Sequence, residues 1–351
     1  MDLTATAAPI VDAVRAAAAV EPVGARTHAE VGNQVRSEHA TTAVGVPAGI
    51  VRHDVADLTV TVLAGTPVAV LDAALAEHRQ RVPLQPREST ATIGGVLATG
   101  LSGPTRLGDG PLRDHLLEVR FVTGYGALVR GGGPTVKNVT GYDLPRLLVG
   151  SMGTLGVLVQ VTLRCRPEPG VTEWWSTASP PGELFECLFR PAAILADSRQ
   201  TLVCLAGDAA DVAVGRALLR DRIAVDGACL PDGPHRGRIS VPPNELGALT
   251  AALDRIDGVD RDDGTWLAEW GVGTVHVAYA DAQQLAAARG IAERHGGWLL
   301  REAGGEADPS GAPFDGFGAA WSGSGTANGE LHTRIKRAFD PDGKLAPGRF
   351  G

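Results

Sequence analysis

Three short stretches of this sequence are suited to bringing main chain close to a ligand. They are Pro22-Val23-Gly24-Ala25-Arg26-Thr27, Thr92-Ile93-Gly94-Gly95 and Gly150-Ser151-Met152-Gly153-Thr154-Leu155-Gly156-Val157. Glycine has no Cβ and reaches φ > 0 at no steric cost, so several N–H groups can converge on one anion. In the first stretch Arg26 can add charge and Thr27 a hydroxyl donor. In the second, Gly94 and Gly95 provide the close approach and positive φ that a pyrophosphate needs. Small residues follow (Val96, Ala98, Thr99, Gly100), which lets a short helix pack flush with its N-terminus toward phosphate. In the third, glycines lead into an apolar run whose first N–H and C=O groups can bond the polar edge of a flavin-like ring. Each stretch alone is equally an ordinary loop, turn or bulge. Three of them, separated by ordinary structure, point to a dinucleotide cofactor and to neither a metal nor a nucleophile.

Side chains that could move protons or hold charge are few. His276 ends the run Trp270-Gly271-Val272-Gly273-Thr274-Val275-His276 and is the best proton-handling candidate, although a strand histidine bonded to a neighbour explains it as well. Lysine occurs only at Lys137, Lys336 and Lys344. Lys137 lies in Val136-Lys137-Asn138-Val139-Thr140-Gly141-Tyr142-Asp143-Leu144, where it could meet a phosphate or a carboxylate, or be a solvated loop residue. Tyr142 could stack on a ring or sit in the core; Asp143 reads as a helix cap. The cysteines, Cys165, Cys187, Cys204 and Cys229, form no CxxC pair, so neither a structural zinc nor an iron–sulfur cluster is expected in this chain. No residue set for a metal is expected.

These groups need a scaffold. The chain has 351 residues, 44% apolar, enough for two domains with sizeable cores. A formal charge of −8 and a pI of about 5.6 argue against a nucleic-acid partner. The first twenty residues lack a basic start followed by an apolar core, and no run is long enough to span a bilayer. A cytoplasmic protein is expected, reaching the inner face of a membrane only through partner subunits. Helices are expected at 9–19 and 67–78, and strands at 41–46, 59–63, 118–122, 127–129 and 155–164. Arg166-Pro167-Glu168-Pro169-Gly170 reads as a boundary. Beyond it, strands at 201–206, 238–241, 274–279 and 298–301 alternate with helices at 209–220, 244–256 and 281–295, which suggests a small α+β lobe with helices on one face of a sheet. Residues 303–324 read as a loop, and 330–339 as a terminal helix.

No G-x-G-x-x-G opens a βαβ unit and no P-loop is present, so Rossmann and P-loop folds are disfavoured. Instead, the order of the glycine stretches resembles the FAD-binding domain of the vanillyl-alcohol oxidase/p-cresol methylhydroxylase (PCMH) family. Within it the order is most similar to the glycolate oxidase subgroup, through the three stretches, the segment 137–144 and the tail Phe339-Asp340-Pro341-Asp342-Gly343-Lys344-Leu345-Ala346-Pro347-Gly348-Arg349-Phe350. The resemblance covers the first half and the tail; the middle matches loosely.

The resemblance implies an α+β fold: a two-subdomain PCMH-type FAD-binding domain (1–168), a second α+β lobe (169–325) and a C-terminal strap (326–351) returning to the first domain. Gly24, Ala25, Arg26, Thr27, Thr92, Ile93, Gly94, Gly95 and Gly100 would belong to the FAD site, mostly along the pyrophosphate, with Gly153, Thr154, Gly156 and Val157 near the isoalloxazine or ribityl chain. It also implies an FAD-binding subunit that oxidises a 2-hydroxy acid (glycolate, D-lactate) together with a second flavin subunit and an iron–sulfur subunit. His276, Lys137 and Tyr142 are then the candidate catalytic groups, and the run ending at His276 is similar to a worn version of a family motif. Covalently flavinylated relatives carry a His where Arg26 stands, so FAD is expected to be non-covalent. Ala25 and Ala346 depart from the family's usual Gly and Asn. A stand-alone hydroxy-acid or polyol oxidase, and a scaffold subunit with a decayed FAD site, remain open.

Overall fold

In the computed structural model, residues 3–134, 142–259, 264–304 and 327–349 are described. The expected loop at 303–324 lies almost wholly outside them, as does Lys137.

The first half is organised around one central strand, Val157–Arg164, buried along almost its whole length. Its run Val-Leu-Val-Gln-Val-Thr-Leu is apolar on both faces because both faces are covered. It is flanked by Thr59–Leu63 and Leu116–Val122, and the antiparallel sheet is completed by Ile50–Asp54 on one side and Leu128–Gly132 on the other. In the register, Val62 faces Val161 and Val60 faces Leu163. On one face, Val60, Val62, Val119, Phe121 and Val161 pack with Leu71 and Leu75 of the helix Val68–Ala76 and with Ile93, Val96 and Leu97 of the helix Ile93–Thr99. Full burial of each such side chain stabilises by roughly 1.5–3 kcal/mol.

On the other face, Val122, Val157 and Val159 meet the first helix and a parallel two-stranded ribbon, Ala19–Val23 with Thr41–Gly45. The helix spans Leu3–Ala16 and so contains Pro9, the expected starting residue. Proline favours the first turn, but here it sits on the solvent side while Ala7, Ile10 and Val14 bury the opposite stripe. Packing of that stripe outweighs the local preference.

The second sheet is larger than the small lobe expected. It has eight antiparallel strands in the spatial order Ile223–Val225, Val171–Thr177, Thr201–Gly207, Ala193–Ala196, Trp266–Glu269, Thr274–Tyr279, His235–Ser240 and Trp298–Ala303. Ile239, Val275 and Val277 bury against Leu246, Leu249, Leu253, Leu285 and Ile291 of the helices Leu246–Leu253 and Ala282–Arg294. Asp281 caps the latter by accepting from Gln283 N at 2.6 Å, as its position suggests. Residues between these in the strands point the other way. Thus Arg236, Arg238, Glu269 and His276 share the sheet face opposite these helices.

The tail returns to the first half. Val20 bridges Leu345 in parallel, with Val20 N donating to Lys344 O at 2.8 Å and Ala346 N to Val20 O at 2.7 Å. The helix Ala327–Phe339 anchors this strap. Phe339 packs against Phe121, and Lys336 Nζ donates to the carbonyls of Thr154 and Leu345 at 2.8 Å and to Asp340.

Candidate cofactor groove and adjoining cavity

The ends of the parallel ribbon, the start of the helix Ile93–Thr99 and the turn before the central strand converge on one groove, about 820 Å³ and open to solvent. Gly24, Ala25, Arg26, Thr27, Thr92, Gly94, Gly95, Gly153, Gly156 and Val157 all border it, with Val44, Val46, Ala64 and Gly65 behind.

Local chemistry explains the convergence. Thr92 is the N-cap of the short helix, its Oγ1 accepting from Gly95 N at 3.2 Å. A Cβ on Gly24 would overlap that same Oγ1, so the loop and the cap fit together only with glycine at 24. Gly94 is also closely packed, for a reason other than the expected positive φ. It is helical, its N donates to Ala64 O at 2.8 Å, and a Cβ would lie 3.0 Å from Ala64 Cβ and O. The third stretch is a left-handed turn, with φ of +82° at Gly150, +53° at Met152 and +76° at Gly153. Gly150 N and Met152 N hook this turn onto Leu97 O and Ala98 O.

The remaining cofactor-site expectations separate. Ile93 is fully buried in the apolar core. Gly100 terminates the helix at φ +67°, and its carbonyl accepts a long hydrogen bond (3.5 Å) from Arg238 across to the second sheet. Thr154 is buried, with Oγ1 donating to Ser151 O at 2.7 Å. None of these three borders the groove. Ala25 is outside the left-handed region and tolerates its methyl; Arg26 takes that conformation at φ +59°. Arg26 also turns toward Glu21, both contacts at 3.4 Å, with over half of its side chain exposed. Tyr142 does not stack in the groove. It is 91% exposed, and the adjacent Asp143 caps the helix Leu144–Leu148, accepting from Arg146 N at 3.1 Å.

Sequence reasoning missed Arg349. The strap carries it into the groove wall, where Nη1 donates to Val31 O at 2.6 Å and Nε is buried without a partner among the described residues. Burial lowers its pKa, Glu21 opposes that shift and Arg301 adds to it. Glycine-lined main chain, an N-capped helix and a buried guanidinium with an unused donor fit an anionic, flat-ringed cofactor. The signal in the sequence was its place in the matched tail, two residues after Pro347.

A second cavity, about 560 Å³, adjoins the first and shares Thr27 and His28 with it. Gln85, Arg87, Glu88 and Ser102 from the first half face Arg236, His276 and Glu302 from the second sheet. His28 bonds Thr27 Oγ1 through Nδ1 at 3.1 Å. Burial lowers its pKa, while Glu302 and Glu88 pull upward. His276 is buried, and its Nε2 meets Glu269 Oε1 at 2.8 Å.

The fold and groove define a class. Residues 3–132 match the family model described as an FAD binding domain, and the fold is of PCMH type. The chain is 41% identical over 148 residues to the glycolate oxidase subunit GlcE of Escherichia coli (strain K12), a match covering 42% of each protein. It is 40% identical over 105 residues to a D-lactate dehydrogenase of Archaeoglobus fulgidus, covering 30% of this chain and 24% of that one. The chain thus spans less than half the length of these curated relatives. An alkyldihydroxyacetonephosphate synthase structure superposes with a TM-score of 0.67 at 14% identity, over 98% of this chain and 74% of that one, which supports the fold alone. Among the described residues, no helix is long and apolar enough to cross a membrane.

Proposed function

We propose that this chain is the FAD-binding subunit of a complex that oxidises a 2-hydroxy acid, such as glycolate or D-lactate, to the 2-oxo acid. One observation carries the reading: three separated side-chain-poor stretches border a single groove. The names of the relatives support the substrate class. The loop Gly24, Ala25, Arg26, Thr27 and the turn Thr92, Gly94, Gly95 would hold the pyrophosphate. Gly153, Gly156 and Val157 would lie along the ring or ribityl chain, and Arg349 would offer its spare N–H to an electron-rich edge. When bound, FAD supplies a two-electron acceptor.

The two sheets support a division into a domain at 1–168, a lobe at 169–325 and a strap at 326–351. FAD is held non-covalently in this reading, since Arg26 stands at the attachment position, and acid denaturation of the loaded protein should release all of it into solution. The subunit name of the glycolate oxidase relative supports a complex; in this reading the partners are an iron–sulfur subunit and a second flavin subunit, with the assembly cytoplasmic or held peripherally at a membrane by them. The second cavity favours one other reading, a stand-alone hydroxy-acid oxidase. Purifying the chain by itself separates them. A yellow protein that glycolate does not bleach supports the subunit, one that it bleaches supports the oxidase, and a colourless protein that cannot be reconstituted with FAD overturns both.

A further inference from the structure

One small apolar cluster, separate from the larger cores, joins the surroundings of all three glycine stretches to the second sheet. Val31, Met152 and Leu300 form it, with Leu101 and Trp298 packed against them. Val31 lies just beyond the first stretch, Leu101 just beyond the helix that the second stretch opens, and Met152 within the third. Leu300 and Trp298 belong to the strand Trp298–Ala303, which is the edge of the second sheet.

Polar contacts fix the same place. Gly32 N donates to Arg301 O at 2.8 Å, and Arg301 Nη2 donates to Gly32 O at 2.6 Å, so one residue of that strand brackets Gly32. Gly32 has a φ of +70°, where a Cβ would be strained. Gly304 N donates to Glu30 Oε2 at 3.1 Å, and from the strap Arg349 donates to Val31 O. Arg301 is buried, so its charge-assisted bond forms without competition from water. Between these anchors and the groove the chain is wound into two hydrogen-bonded turns, with Ala29 N donating to Arg26 O and Val31 N to His28 O. A shift at Val31 and Gly32 is therefore passed to Arg26, Thr27 and His28, which border the groove.

We infer that the strand Trp298–Ala303 braces the cofactor loops. Arg301 and Leu300 do not border the groove themselves. They are positioning residues that hold the first and third glycine stretches in the arrangement that binds FAD. The second sheet thereby contributes to cofactor retention from outside the groove. This role rests on the FAD reading above, but the docking of the loop can be measured without flavin.

The test is fluorescence titration of the FAD-stripped full chain with FAD, with a thermal melt and hydrogen–deuterium exchange over residues 26–33 for every variant. Arg301→Met should weaken FAD binding about tenfold. Arg301→Lys keeps a charged donor for Gly32 O and should recover most of that loss. Leu300→Ala should weaken FAD by a factor similar to that of Arg301→Met. Exchange over 26–33 should quicken in both weakened variants. At saturating FAD both should show the wild-type spectrum of the bound flavin, because neither side chain meets the ring. Leu253→Ala opens a cavity in the helix-covered core of the same sheet, so it should lower the melting temperature and leave FAD affinity unchanged. Wild-type FAD affinity in folded Arg301→Met overturns the inference. An equal loss in Leu253→Ala also overturns it, because general instability would then explain the effect. If Leu300→Ala does not fold, the two Arg301 variants decide. If the wild-type chain takes up no FAD, the cofactor reading falls. Faster exchange over 26–33 in Arg301→Met then keeps the brace, and unchanged exchange removes it.

Discussion

The groove and the cavity beside it are made in opposite ways. The groove is a place where side chains are missing: Gly24, Gly94, Gly95, Gly153 and Gly156 let main chain from three distant segments close on one volume. The cavity is lined largely by charged and polar side chains delivered by loops of the first half and by strands of the second sheet, far apart in sequence from Gln85 to Glu302. Main-chain sites depend on close packing and fail when a Cβ intrudes. Side-chain sites depend on which hydrogen bonds a few groups have left over, and they can be altered one contact at a time. The two regions should therefore respond differently to substitution.

The largest effect is expected at Gly24. Gly24→Val puts carbon where Thr92 Oγ1 sits, so the loop moves away or the N-cap of the helix Ile93–Thr99 breaks. Overpacking of this kind costs about 1–3 kcal/mol, and the purified variant should carry no measurable FAD by visible absorbance. Stoichiometric FAD in Gly24→Val would break the comparison, because the groove would then not depend on absent side chains. Arg349→Met comes next. The strap stays docked through Val20, Leu345 and Lys336, but the buried cation leaves the groove wall. FAD affinity should fall about tenfold in fluorescence titration.

That difference in construction also decides what was legible in the sequence. The glycine stretches were visible because each is contiguous, and the long apolar and β-branched runs at 59–63 and 155–164 announced the first sheet. Gly94 was singled out for a positive φ, whereas its backbone is helical and what its small size meets is Ala64, a neighbour the sequence does not reveal. Strands such as Ile50–Asp54, Val171–Thr177 and Ile223–Val225 escaped notice because they are partly exposed, and without a fully buried face their alternation is weak. Ala193–Ala196 is buried throughout but only four residues long. Arg349 and the Glu269–His276 pair gave almost no local signal. A polar residue in an apolar strand is readable, but its partner is set by register, and register comes from the fold.

His28 belongs to both regions and tests whether they are coupled. Its pKa is lowered chiefly by burial, against the pull of Glu302 and Glu88. A histidine whose folded pKa lies below its unfolded value of 6.5 binds its proton more readily in the unfolded chain. Stability from this group is thus present above 6.5 and declines as pH falls from there toward the folded pKa. Thermal melts from pH 7.5 to 5 should show this decline, and His28→Gln should flatten it. If FAD affinity declines over the same window and flattens in the same variant, the groove and cavity share one electrostatic environment.

The smallest effect is expected at Ala346, where the strap turns toward Arg349. Its φ of +42° is left-handed, a conformation that costs a residue with a Cβ about 1–2 kcal/mol. The residue is buried, and its N–H is fixed by Val20 O, so the turn is imposed by the strap's docking and not by local preference. Ala346→Gly removes that strain but adds chain entropy to the unfolded state, about 0.5–1 kcal/mol in the opposite direction. The balance should favour the variant by about 0.5 kcal/mol, seen as a small rise in the melting temperature. FAD affinity is the sharper measurement. If the strained turn serves only to close the strap, affinity stays level; if it holds the Arg349 guanidinium against the cofactor, the freer glycine weakens binding even as the fold gains stability.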